Sequence, residues 1–275
     1  MKFKCKELNK SFKSKEALIA AVVKNKDEII DTKKSQIFFS EQVANRKLRI
    51  KNKASKGLET SNEDTDDILK RSIIGNTYFW MDHHDDVHLE NTFGQSIKQR
   101  GDRIRFYRDH ENKVGAKIGR FVSIAQVKVK WRDLGIEKAG ETICLIADAE
   151  IIKDYDPSAF AQYKNGEIDQ HSVGMIYIKI RLAVNNPEYE NEYKEYQNHI
   201  NKIGNREKVD EKGYFWAIYE AKLLEISAVI DGSNEITPTI DNKADESHFI
   251  DTEPSKDTQK SKKEKERKEY YLNLN

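Results

Sequence analysis

Ala221-Lys222-Leu223-Leu224-Glu225-Ile226-Ser227-Ala228-Val229-Ile230 is the stretch that decides the fold class. Side chains alternate along a strand, so counting by twos sorts these residues into two faces. Ala221, Leu223 and Val229 lie on one side together with Glu225. Leu224, Ile226, Ala228 and Ile230 lie on the other. A strand that is apolar on both faces belongs in an interior. Glu225 is the only acid within the stretch. A buried carboxylate without a partner either takes up a proton or destabilises the fold. The stretch therefore predicts a β-rich core and a partner for its one acid.

Two other strand-like segments carry a polar residue with chemistry to offer on a largely apolar face. In Ile104–His110 the face of His110 is shared with Ile104 and Phe106. After Ser172, the residues Gly174, Ile176, Ile178, Ile180 and Leu182 share its face. Burying a polar group is costly unless something pairs with it. A hydroxyl, an imidazole and a carboxylate are the residue types of a serine hydrolase triad, with Ser172 as nucleophile, His110 as base and Glu225 as orienting acid. His171 is the rival base, but neighbouring strand side chains point to opposite faces, so it is badly placed to reach the Ser172 oxygen.

Further strands are expected at Thr77–Met81, Lys117–Trp131, Thr142–Ile152, Gln170–Leu182 and Tyr214–Tyr219. Helices are expected at Glu16–Ile30, near Asp66–Ile74, at Thr92–Arg100, at Ser158–Lys164 behind the start signal Asp156-Pro157, and on the surface at Pro187–Ile203. Ile37-Phe38-Phe39 is a candidate first strand. The strands are short and show no βαβ rhythm, so antiparallel pairing is expected. Three regions follow: a lysine-rich N-terminal extension over 1–70, a core over 71–240 with a charged insert near 185–212, and a charged tail over 241–275 that is expected to be disordered.

The 275 residues suffice for one sizeable domain with extensions. With 48 basic and 47 acidic residues the net charge is +1, which gives no bulk attraction to nucleic acid or to anionic membranes. The run Gln42–Leu58 is basic without acids and reads as a solvated edge. Cys5 and Cys144 form neither a disulfide framework nor a zinc-type spacing. No apolar run approaches a membrane span and no signal peptide is read.

Several pieces in order resemble the tailed-phage prohead (capsid maturation) proteases, relatives of the herpesvirus assemblins. They are Gly75–Asp82, Asn91–Ile97, Asp109-His110-Glu111, Lys117-Ile118-Gly119, Cys144–Glu150, His171-Ser172-Val173-Gly174-Met175 and Leu223–Val229 followed by Gly232-Ser233-Asn234. The resemblance covers about residues 71–240. It implies an antiparallel β-barrel of the assemblin type with flanking helices, and the triad His110, Ser172 and Glu225 with no cofactor or metal. It also implies scaffold and major capsid protein as substrates, inside the assembling prohead in the host cytoplasm, and leaves self-cleavage and a homodimer open. The chain departs from the family pattern at His171, where leucine is common, and at Leu89–Thr92, where the family has a Pro-Gly-Ala turn. Gly174 is expected to admit close backbone approach at an oxyanion hole.

Two other readings compete. Asp82-His83-His84-Asp85-Asp86-Val87-His88 is dense in metal-ligand types; on a strand Asp82, His84, Asp86 and His88 would share a face and could hold a divalent ion that activates water. The third reading is a protease-like scaffold or assembly protein without activity.

Overall fold

The computed structural model describes residues 2–38 and 64–240. A small hairpin opens the chain, β1 (Phe3–Cys5) against β2 (Lys10–Phe12). Two helices follow, α1 (Lys15–Lys24) and α2 (Lys26–Ser35). The sequence reading of one helix over Glu16–Ile30 thus splits at Asn25, whose side-chain amide donates to the Ala21 carbonyl (2.7 Å). Ser14 caps α1 by accepting from Ala17 N (3.2 Å). Leu18, Ile19, Val22 and Ile29 are buried in the same hydrophobic core as the main sheet.

The sheet begins with β3 (Ile68–Thr77), where a helix near Asp66–Ile74 is expected and a strand only from Thr77. Ile68, Ser72 and Ile74 alternate with Leu69, Arg71 and Ile73, and pairing with β7 (Glu141–Ile152) over nine residue pairs overrides the acidic start signal. Between them come β4 (Asp86–His88), α3 (Gly94–Arg100), β5 (Arg105–Arg108) and β6 (Lys117–Lys130). After β7 come α4 (Pro157–Lys164), β8 (Gln170–Val184), α5 (Glu190–His199), α6 (Arg206–Lys212), β9 (Tyr214–Val229) and β10 (Thr239–Ile240). The Asp156-Pro157 start of α4 is as read: the Asp156 carboxylate accepts from Ala159 N (2.9 Å). The two strands expected around residue 220 are one continuous strand.

Strand order is β10-β3-β7-β6-β5-β9-β4, with β8 on β9. Most pairings are antiparallel, but β4 and β5 run parallel to β9. Chain entry into β9 after α6, rather than by a hairpin, permits that sense. The architecture is mixed α+β, mostly sheet. Its ladders do not close into the expected barrel: the ends meet only through an isolated bridge between Gln170 and Pro238, with His171 N donating to Thr237 O (3.0 Å) and Thr239 N to Asp169 O (3.2 Å).

The candidate strand at Ile37–Phe39 reduces to one antiparallel bridge, Phe38 with Met175 of β8; Phe39 lies outside the described residues, as do the basic run Gln42–Leu58 and the tail 241–275. No helix among the described residues is long and apolar enough to cross a membrane.

Candidate active site

β9 organises the site because both of its edges are used. On one edge β8 pairs with it so that Gly174 faces Glu225 and Ser172 faces Ser227. Directly opposed residues present their side chains on the same face. Ser172, Gly174, Glu225 and Ser227 therefore share one face. On the other edge β5 runs parallel and ends with Arg108 opposite Ala228.

The chain then reverses in two residues. Asp109 and His110 both take left-handed backbone, φ 50° and 56°, and Glu111 N closes the turn on Arg108 O (2.9 Å). Such turns favour Gly, Asn and Asp, so Asp109 suits its position, while the bulkier His110 in the left-handed region needs the surroundings to hold it. Asp109 N donates to Ala228 O (2.9 Å), His110 N donates to Ser227 Oγ (3.3 Å), and Arg108 forms an ion pair with Asp156 (2.9 Å). His110 is thus a turn residue and not a strand residue sharing the face of Phe106, as counting by twos implies. The turn folds its ring back over β9.

That ring meets the acid predicted to need a partner. His110 Nδ1 lies 2.6 Å from Glu225 Oε1, with both side chains below a tenth exposed. The second carboxylate oxygen accepts from Ser227 Oγ (2.5 Å). Ser227 therefore ties the carboxylate and the His110 main chain together, a role the sequence reading missed. Its signal is a polar residue two positions beyond Glu225, on the same face of an apolar strand. Gly174 also has a steric reason beside the one expected. A Cβ there would come 2.1 Å from Glu225 Oε1, so the glycine makes room for the carboxylate.

Ser172 is 4% exposed and borders a small, narrow cleft with Asn76, His88, Val173, Met175 and Asn234 among its walls. His171 points away from it. Its Nε2 meets Tyr163 Oη (2.9 Å) and its Nδ1 donates to Thr237 O (3.0 Å). Burial lowers its pKa to about 4, which keeps it neutral.

The Asp82–His88 cluster does not assemble as a metal site. Among the described residues no group of three or more ligand side chains could hold an ion. The reason is that residues 82–85 form a turn instead of a strand. Asp82 Oδ1 accepts from His84 N (2.8 Å) and Asp86 N (2.9 Å). Asp86 is bound to Lys33 (2.7 Å) and Tyr177 Oη (2.5 Å). Burial pushes the Asp86 carboxyl up to about 6 against the pull of Lys33. For Lys33 burial works against the charge, but Asp86 and Glu7 outweigh it and its pKa is raised. Lys33 also lies 5.4–5.7 Å from the rings of Phe38, Tyr177 and Trp216. The cluster is a buried anchor for α2.

No family model, curated protein or solved structure matches this chain.

Proposed function

We propose that the chain is a serine endopeptidase of the tailed-phage prohead type, cutting scaffold and capsid protein segments during assembly. The observation that carries the reading is the buried His110–Glu225 contact of 2.6 Å, on the strand face that also presents Ser172. The order His…Ser…Glu matches the sequence resemblance, and the near meeting of the sheet ends at Gln170 and Pro238 is in keeping with an assemblin-like barrel.

In this reading Glu225 holds the proton of His110 on Nδ1, so Nε2 acts as base toward the Ser172 hydroxyl. The serine oxygen attacks a peptide carbonyl and its proton passes to His110. The imidazolium, steadied by Glu225, then protonates the leaving amine, and an ester to Ser172 remains. Water, deprotonated by the same imidazole, releases the acid and regenerates the serine. Ser227 keeps the carboxylate from rotating away.

The test is labelling by a fluorophosphonate, which forms a stable ester only with an activated serine. Labelling at Ser172, lost in Ser172→Ala and His110→Ala with the fold retained by circular dichroism, supports the reading. No labelling of the native chain overturns it. Co-expression with the major capsid protein then tests the substrate: a capsid protein of unchanged length would remove the prohead assignment while leaving hydrolase chemistry in place.

A further inference from the structure

We infer that the cleft beside Ser172 reads one substrate side chain by hydrogen bonding, with Asn76 as the reading residue and a neutral carboxamide, glutamine or asparagine, as the preferred occupant. The inference rests on the endopeptidase reading above.

Asn76 stands on β3 just past a bulge, where the register with β7 jumps from Ile74 to Asn76. The extra residue is Gly75, whose absent Cβ would lie 3.0 Å from Ile226 Cδ1. A bulge re-aims the side chain that follows it. Asn76 is 2% exposed and lines the same cleft as Ser172, Val173 and Met175.

One end of its amide is used. Asn76 Nδ2 lies 3.2 Å from His88 Nδ1, and His88 Nε2 lies 3.4 Å from Met175 Sδ. Burial lowers the His88 pKa to about 3, so the ring is neutral and offers one donor and one acceptor. With Nδ1 accepting from Asn76, the ring proton sits on Nε2 toward the sulfur. Asn76 Oδ1 then has no hydrogen-bond partner among the described residues. Buried polar atoms nearly always have one, and the missing partner here is a donor arriving through the cleft.

The walls decide what kind of donor. Asn76, Asp82, His88, Met175 and Tyr177 are all buried, and the nearby charge of Lys33 is matched by Asp86. A charged substrate side chain would lose its hydration there: an anion would face the carboxyls of Asp82 and Asp86, and Asp82, the acid not paired with Lys33, is already engaged by the main-chain N–H groups of His84 and Asp86. A neutral side chain avoids that loss. A carboxamide also offers an acceptor beside its donor, so it satisfies whichever end of the Asn76 amide faces the cleft.

The test uses the full-length chain and a random decapeptide library, with cleaved products sequenced by mass spectrometry and fluorophosphonate labelling of Ser172 run in parallel. Glutamine or asparagine is expected to be enriched at one position near the scissile bond. For a peptide pair differing only as Gln or Leu at that position, Asn76→Leu is expected to shift the kcat/KM ratio about tenfold toward Leu, since a site built to hydrogen-bond penalises the partner that lacks the group. Asn76→Ser, which keeps a short polar group, is expected to retain part of the preference and guards against a folding artefact. Independently of turnover, titrating the Gln peptide into Ser172→Ala is expected to shift the imidazole nitrogen resonances of His88. A native profile without carboxamide enrichment, or a Gln-to-Leu ratio that Asn76→Leu leaves unchanged, overturns the inference while labelling leaves the endopeptidase reading standing. A native chain that neither labels nor cuts sinks both.

Discussion

Replacing Glu225 by glutamine isolates the role of its charge. The carboxylate is 3% exposed, holds His110 Nδ1 at 2.6 Å and accepts from Ser227 Oγ at 2.5 Å. Glutamine has the same shape. Its Oε1 can accept from His110 Nδ1 while its Nε2 donates to the Ser227 hydroxyl, so the turn at Asp109–His110 keeps its anchors. What disappears is the counter-charge for the imidazolium. A hydrogen bond to a charged group contributes roughly 1.5–3 kcal/mol, or about one to two powers of ten in rate. If the glutamine settles the other way round, its amide donates to Nδ1 and moves the ring proton to Nε2, the nitrogen that must act as base. A tautomer error of that kind in a serine protease triad costs about 10⁴ in kcat. Glu225→Gln is therefore expected to slow fluorophosphonate labelling of Ser172 by about 10–10⁴, with the melting temperature nearly unchanged. A labelling rate within threefold of the native chain, in a folded variant, would refute Glu225 as the orienting acid.

Other expectations use the same structure. Gly174→Ala places a methyl 2.1 Å from Glu225 Oε1 and should dislodge the carboxylate from His110, lowering labelling at least 10²-fold (an order-of-magnitude figure) while the far-ultraviolet spectrum stays native; full activity would show that the carboxylate has slack. Lys33→Met strands Asp86 beside Tyr177 and should lower stability by roughly 3–5 kcal/mol in urea unfolding; a loss below about 1 kcal/mol, the scale of an exposed pair, would mean the buried pair contributes little. Labelling should withstand EDTA, and a loss restored by zinc would move the chemistry to the Asp82–His88 cluster. Stability should also fall as pH drops from 6.5 toward 5. His88 and His171 have folded pKa values near 3 and 4, below the ordinary 6.5, so the unfolded chain takes up two protons there that the folded chain refuses. Asp86, raised to about 6 by burial, and Asp82, raised with it, contribute in the opposite sense. Each proton of net uptake gives a slope of about 1.4 kcal/mol per pH unit; a denaturation midpoint that rises over this range would contradict it.

Much of this was legible from alternation. The apolar run around Glu225 located the central strand and showed that its acid needed a partner, and the structure pairs that acid with His110. Strands β6, β7 and β8 fall close to where periodicity put them, because each alternates over ten residues or more. The route by which His110 arrives was not legible. A left-handed turn of Asp and His has no strong local signature, so counting by twos carried the strand too far. β3 was obscured by the acids before it, since start signals for helices and solvent-facing strand ends use the same residues. The metal reading failed for a similar reason: residues 82–85 bend, and side chains two apart along a bend do not share a face. Ser227 and Asn76 could only emerge with the register in hand.

The uninterrupted length of β9 has a mechanical consequence. Its first half carries Tyr214, Phe215 and Trp216, all fully buried, and its second half carries Glu225 and Ser227. Its main chain is stitched to β8 along one border and to β4 and β5 along the other. Amide exchange along this spine should proceed mainly through global opening, so the proton-handling apparatus has no private melting transition and survives heating until the hydrophobic interior gives way.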